Sequence, residues 1–182
     1  VLGADDDTDA ISWWENLTGD GSSWSRHTVD SSFDVATSVH AADMDGDGDP
    51  DVLGAASGAD DITWWENVAG TGFSWAEHTI DRNFDAASFV SAADVDGDGD
   101  LDVLGAASLA DEIVWWLNTS GDGSTWSART VDGYVNMAGN DLHAVDVDDD
   151  GDIDVLGGCV YYSDTYLSWW ENVTGSGSSW LE

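Results

Sequence analysis

The chain has 182 residues, 42% of them hydrophobic, so it can bury the core of one ordinary domain, and a disordered chain is excluded. Its 38 acidic residues face three arginines and no lysine, and the formal charge of -35 excludes nucleic acid and anionic membrane surfaces as partners. High salt screens repulsion between surface carboxylates, so we expect a halophilic source.

No apolar segment approaches the roughly 18 residues of a membrane span, so we expect no membrane insertion. No signal peptide is visible at the start of the chain. The single cysteine, Cys159, excludes an intrachain disulfide.

The sequence repeats itself along its whole length. The motif "VLGA" or "VLGG", followed by "WWEN" or "WWLN", begins at Val1, Val52, Val103 and Val155, at spacings of 51, 51 and 52 residues. The repeat units are 1-51, 52-102, 103-154 and an incomplete 155-182, and together they form one partial domain over 1-182. Short apolar runs between Gly, Asp and Ser turns, without helical periodicity, predict four β-strands in each unit.

In the best-defined unit, the strands are predicted around 89-94, 102-108, 112-118 and 124-132. Four-stranded antiparallel sheets repeated about an axis form a β-propeller, so the predicted fold is an all-β propeller. The first blade lacks its first strand and the last blade stops where its fourth strand begins, which leaves about 15 strands, or 3.75 blades. Because such rings have about four to eight blades, we expect a second copy of the chain or missing sequence to complete the ring.

Each unit contains two adjacent tryptophans. Neighbouring residues on a strand point to opposite faces, so each pair sends one indole to each side of its blade. Both indoles find an apolar partner only if blades cover both faces, which favours a packing role over stacking against sugars. The pairs are Trp13/Trp14, Trp64/Trp65, Trp115/Trp116 and Trp169/Trp170.

Three acidic stretches, 43-51, 94-102 and 146-154, share the pattern D-x-D-x-D-G-x-x-D. Ca²⁺ binds six to eight oxygens, and carboxylates at positions one, three, five and nine with a carbonyl at position seven can surround one ion. Two carboxylates about 4 Å apart repel by roughly 4 kcal/mol at an effective dielectric of 20, so the hairpin needs a cation. We therefore predict about three Ca²⁺ ions per chain; a salt-adapted hairpin without an ion is the alternative, and Mg²⁺ fits less well.

The glycine at position six, Gly48, Gly99 or Gly151, permits the sharp turn. No glutamate stands at position twelve as in an EF-hand, so the ion is expected to clamp a hairpin rather than trigger a movement. The predicted carboxylate ligands are Asp43, Asp45, Asp47, Asp51, Asp94, Asp96, Asp98, Asp102, Asp146, Asp148, Asp150 and Asp154. The predicted main-chain ligands are Asp49, Asp100 and Asp152.

The combination "AADxDGDGDxDVLGAAS" followed by "ITWWENxxGxGxSW" resembles the FG-GAP or VCBS repeat family, including the calcium-binding blades of integrin α-subunit propellers and of some propeller lectins. The resemblance covers essentially the whole chain. It implies a secreted or cell-surface propeller that binds Ca²⁺. Family functions run from adhesion to carbohydrate binding and, in some polysaccharide lyases, catalysis.

Little else in the sequence indicates chemistry. The four histidines (His27, His40, His78 and His143) fall at repeated positions, which favours a structural role, and no nucleophile is paired with a base, so we expect no enzyme. The repeat pattern breaks in the last blade and the connection into it, where extra residues bring tyrosines that suit a sugar or a protein surface; drift of the repeat explains the break equally well. These candidate ligand residues are Tyr134, Tyr161, Tyr162 and Tyr166.

Three Asn-x-Ser/Thr triplets begin at Asn16, Asn118 and Asn172 and are either glycosylation sites or strand ends that enter a turn. For the whole chain, the first hypothesis is a calcium-stabilised extracellular module for recognition or adhesion, with a glycan or a surface protein as partner. The alternatives are the propeller core of a carbohydrate-active enzyme similar to a polysaccharide lyase, and a structural or engineered fragment that self-assembles.

Overall fold

The computed structural model of the chain describes residues 1-135, 141-161 and 164-182, and the side chains of 159-166 are left aside. The described residues form fifteen β-strands in four antiparallel sheets and contain no helix. They therefore include no helix that is long and apolar enough to cross a membrane.

The four sheets follow one another along the chain and are named blades 1 to 4. Blade 1 consists of β1 (Leu2–Asp5), β2 (Ala10–Asn16) and β3 (Trp24–Asp30). Blade 2 consists of β4 (Ala36–Ala42), β5 (Asp51–Ala56), β6 (Asp61–Glu66) and β7 (Ala76–Asp81). Blade 3 consists of β8 (Ala87–Ala93), β9 (Asp102–Ala107), β10 (Glu112–Asn118) and β11 (Trp126–Asp132). Blade 4 consists of β12 (Asp141–Val145), β13 (Asp154–Tyr161), β14 (Asp164–Asn172) and β15 (Trp180–Leu181).

Within each blade, strands that are consecutive in the chain are neighbours in the sheet. The first strands β4, β8 and β12 of consecutive blades contact one another, as expected around a propeller axis. Blade 1 has three strands, and the last strand of blade 4 has only two residues. The predicted all-β propeller with about 15 strands is confirmed.

Each blade has a forward face, turned to the blade that follows in the chain, and a rear face, turned to the blade before it. On the forward face of blade 2, Leu53, Ile62 and Trp64 join one apolar cluster with Val103 and Trp116 on the rear face of blade 3. Trp65, on the opposite side of blade 2, lies in the cluster shared with blade 1. The prediction that each tryptophan pair serves two blade junctions is confirmed here.

Trp13 of blade 1 is less well covered than its counterparts. Blade 1 has no strand equivalent to β4, and a cavity of about 280 Å³ lies between Leu2, Trp13, Val52 and Trp75. Trp13 therefore stays half-buried, whereas its counterpart Trp64 is buried in the next junction.

Aspartates in the β1–β2 turn of blade 1 and in the equivalent β5–β6 turn of blade 2 hold the connection to the next blade. The Asp9 carbonyl accepts a hydrogen bond from the Phe33 amide at 2.9 Å, and its Oδ1 accepts one from the Val35 amide at 3.0 Å. Asp60 holds the amide of Ala86 in the same way. These two aspartates therefore stabilise the connections between blades and are not merely solvated surface charges.

The connection after blade 1 contains a strained residue, since Val35 has φ of +52° and a β-branched side chain disfavours this region. We expect Val35→Asn to raise the free energy of unfolding by about 1 kcal/mol, because asparagine tolerates the left-handed conformation. Urea unfolding of the two proteins measures the difference. Val68→Asn is the matched control, because Val68 is half exposed in a turn and its φ is not positive; a gain of the same size in that variant would contradict the explanation.

Candidate metal centre

Each acidic stretch forms the turn between the first and second strands of a blade and brings three carboxylates together. In every case they come from positions one, three and nine, and their nearest oxygens all lie within 4.8 Å of one another. The three groups are Asp43, Asp45 and Asp51; Asp94, Asp96 and Asp102; and Asp146, Asp148 and Asp154.

The aspartate at position nine anchors the turn. Asp51 is buried, and its Oδ2 accepts a hydrogen bond from the Met44 amide at 2.8 Å. Its Oδ1 accepts a second hydrogen bond, also at 2.8 Å, from the amide of Asn67 at the end of the third strand. One carboxylate therefore joins the start of the acidic turn to a distant strand end.

The other two blades repeat this arrangement. Asp102 accepts hydrogen bonds from the amides of Val95 at 3.1 Å and Asn118 at 2.9 Å. Asp154 accepts hydrogen bonds from the amide of Val147 at 3.1 Å and from the Asn172 amide at 2.8 Å. The threefold recurrence shows that the sequence pattern encodes one geometry.

The glycine at position six bends the chain so that its amide reaches the aspartate at position one. Gly48 has φ of +96°, and its amide donates to Asp43 Oδ2 at 3.0 Å. The third turn has Asp149 where the others have glycine at position four, and Asp149 adopts φ of +65°, which aspartate tolerates better than most residues. The altered third motif therefore keeps the conformation of the other two.

The electrostatics of the turns are unfavourable without a cation. Burial raises the pKa of Asp51, and likewise of Asp102, to about 6, above the ordinary 3.8. Burial also raises the pKa of Asp45 and Asp96, and neighbouring carboxylates of the same turns add to both shifts. In the metal-free fold, the stability contributed by Asp51 and Asp102 is therefore present at low pH and is lost as the pH rises through about 6.

The donor set fits a hard divalent cation. Asp43 Oδ1, Asp94 Oδ1 and Asp96 Oδ1 are buried and have no hydrogen-bond partner among the residues that the structure describes. Buried carboxylate oxygens without partners are costly, and a cation would satisfy them. All the converging donors are carboxylate oxygens, the ligand type that Ca²⁺ takes.

The remaining predicted ligands lie beside these groups. The position-five carboxylates are outside the converging sets, and in each turn they accept a hydrogen bond from the position-seven amide. These position-five residues are Asp47, Asp98 and Asp150, and the position-seven residues are Asp49, Asp100 and Asp152. Ligation by either position stays a prediction.

The geometry repeated in the three acidic turns also depends on asparagines, and the sequence analysis did not predict this role. Asn67 Nδ2 donates to the Pro50 carbonyl at 3.3 Å, inside the acidic turn, and Asn67 Oδ1 accepts a hydrogen bond from the Gly72 amide. Asn118 and Asn172 make the same pair of contacts. The sequence feature that could have indicated this role is the asparagine that ends "WWEN" or "WWLN" in every unit.

These contacts determine whether the asparagines of two of the three Asn-x-Ser/Thr triplets are accessible for glycosylation. Asn118 and Asn172 are 1% and 0% exposed, and both ends of each amide make hydrogen bonds, so these asparagines cannot carry a glycan in the fold. Asn16 is half-buried.

The candidate histidines and tyrosines do not belong to the converging carboxylate groups of the acidic turns. His27 stacks on Trp13 and His78 on Trp64, at centroid distances of 4.4 and 4.5 Å, which is the packing role predicted for repeated histidines. The Tyr134 side chain is almost fully exposed. Tyr162 and the side chains of Tyr161 and Tyr166 lie outside the described features, so the tyrosine site stays a prediction.

Fold and site together define a β-propeller with acidic turns in which three carboxylates converge. The model of the FG-GAP-like repeat matches residues 1–54, 43–105 and 94–157, and the chain belongs to this repeat family. No curated protein matches significantly. Among solved structures, a chain of the Photorhabdus luminescens Tc holotoxin pore matches with 14% identity and a TM-score of 0.49, over 99% of this chain and 8% of that one.

The anchoring role of position nine is testable without metal. In the metal-free chain at about pH 5, where most of the Asp102 carboxyl is protonated and repulsion is small, we expect Asp102→Ala to lower the free energy of unfolding by about 2 kcal/mol, because two buried amides lose their acceptor. Asp98→Ala removes an exposed carboxylate from the same turn and is expected to change stability by less than about 1 kcal/mol. Equal losses in the two variants, measured by urea unfolding, would show that position nine has no special role.

Proposed function

We propose that this chain is a non-enzymatic propeller module whose acidic turns each bind one Ca²⁺ ion, and that it serves recognition or adhesion outside the cell. The observation that carries the proposal is the convergence of three carboxylates in each of three turns, within 4.8 Å and without a basic side chain in the turn. Backbone amides offset only part of the repulsion between such charges, and a bound cation would offset the rest.

The ion would act on structure. Asp43, Asp45 and Asp51 would hold it, and Asp51 also fixes the amides of Met44 and Asn67. Neutralising the turn would thereby secure the strand ends on both sides of it.

An extracellular location agrees with this chemistry. Extracellular calcium modules bind their ions with dissociation constants of about 0.1 to 1 mM, which cytosolic calcium would not fill. The strong negative charge keeps a free module soluble and favours cationic or neutral partners. A glycan partner would stack on the tyrosines of the last blade and the connection into it.

Calorimetric titration in about 1 M KCl tests the metal sites, because salt removes loosely attracted calcium. We expect about three ions per chain and a higher unfolding temperature with Ca²⁺ than with EGTA. Asp45→Asn should reduce the number to two, whereas Asp7→Asn, the same charge change at an exposed position in the turn between β1 and β2, should leave three. Absence of stoichiometric binding in the wild-type chain would refute the proposal.

Binding should also depend on pH. A carboxyl group of pKa about 6 is about nine-tenths ionised at pH 7 and one-tenth at pH 5, and a metal needs the ionised form. We therefore expect the calcium affinity of blades 2 and 3 to fall about tenfold between pH 7 and pH 5. Titrations of the same protein in the two buffers measure this, and unchanged affinity would mean that Asp51 and Asp102 do not ligate.

We also propose that the module works as part of a larger ring, since blades 1 and 4 each leave an apolar face open.

A further inference from the structure

Blade 4 exposes a forward face that the other blades bury. Leu167 on this face is 75% exposed, whereas its counterparts Ile62 and Ile113 are 0% exposed. Val147 is 41% exposed, and its counterpart Met44, at the same place in the acidic turn, is 1% exposed. The side chains that cover a neighbouring blade elsewhere are thus present here without one.

Blade 1 exposes the complementary rear face. Val1 is 76% exposed, and its counterpart Val52 is 2% exposed. Trp14 is half-buried, whereas its counterpart Trp65 is fully buried against the preceding blade.

The first tryptophan of each pair donates a hydrogen bond to the next blade at one of the three internal junctions, whereas Trp64 Nε1 and Trp115 Nε1 at the other two have no acceptor among the described residues. At the junction of blades 1 and 2, Trp13 Nε1 donates to the Gly72 carbonyl at 2.9 Å. Trp169 is the counterpart of Trp13 on blade 4, and its buried Nε1 has no acceptor among the described residues. The counterpart of Gly72 on blade 1 is Gly21.

A second pair behaves similarly. At the junction of blades 3 and 4, Asn172 Nδ2 donates to the Val95 carbonyl at 3.2 Å. The counterparts on the open faces are Asn16 of blade 1 and Val147 of blade 4. Asn16 Oδ1 accepts from the Gly19 amide, but its Nδ2 has no acceptor within the described residues.

We propose that the forward face of blade 4 docks on the rear face of blade 1 of a second copy, which deepens the ring assembly proposed above. A second copy is the occupant because the chain itself forms this junction three times from the same residue types, and its two open faces are the two halves of a fourth. Trp169 Nε1 would donate to the Gly21 carbonyl of the other copy. Across the same junction, Asn16 Nδ2 of that other copy would donate to the Val147 carbonyl of the first.

The contact is heterologous, since different faces meet, so each copy has one face of each kind to offer. Two copies that join at both ends close a ring of eight blades, within the usual range of about four to eight. With -35 charges on each chain, the association needs salt that screens repulsion over about 3 Å at 1 M.

Light scattering of the 182-residue chain in about 1 M KCl with Ca²⁺ tests the proposal. We expect a mass twice that of the 19.3 kDa chain, and for Leu167→Glu a dissociation constant raised about 30-fold or more. Leu109→Glu is the matched control, because Leu109 is 71% exposed but lies in a turn outside both faces, and it should remain dimeric. A monomeric wild type, or a dimer that survives Leu167→Glu, would overturn the proposal.

A variant of the other face makes the test specific. Val1→Glu should also dissociate the dimer, and mixing it with Leu167→Glu should restore a two-chain complex, because each variant retains the face that the other lacks. A dimer of Val1→Glu alone would show that like faces meet and would contradict the assignment. Calcium titration of the same variants separates this result from the metal proposal, because three ions per chain are expected whether or not the chains associate.

Discussion

Repulsion among aspartates is the constraint on which the rest of this structure depends. Each turn holds three carboxylates within 4.8 Å, and in blades 2 and 3 some of their oxygens are buried without a partner in the described part of the chain. Hydrogen bonds from backbone amides offset only part of that cost, because burial still raises the pKa of Asp51 and Asp102 to about 6. A divalent cation would remove the repulsion and satisfy the oxygens together, so the turn geometry is the physical basis of the proposed ion binding.

The turns also govern how blades pack. Met44 lies between Asp43 and Asp45 of the acidic turn, yet its side chain belongs to the apolar cluster shared by blades 2 and 3. Val95 has the same double role at the next junction, where its carbonyl also accepts from Asn172. Fixing the turn therefore fixes an apolar contact and a hydrogen bond to the following blade, which links the ion to the tryptophan-rich core.

Much of this was predictable because repetition fixes register. The unit length, the paired tryptophans and the position-six glycines together specified four-stranded blades, the face of each indole and the turn conformation. The asparagine contacts were not predictable, since they join residues 16 to 18 positions apart through tertiary structure. Asp9 and Asp60 were hidden for another reason: among 38 acids, composition cannot distinguish a carboxylate that pins a connection from one that is merely solvated.

The most direct measurement is an anomalous difference map from crystals grown with Sr²⁺, which takes the same oxygen ligands as Ca²⁺ and scatters more strongly. The account predicts three peaks per chain, each within coordination distance of the carboxylates at positions one, three and nine of a turn. A map at good resolution with ordered turns and no peak within reach of Asp43, Asp45 and Asp51 would contradict it.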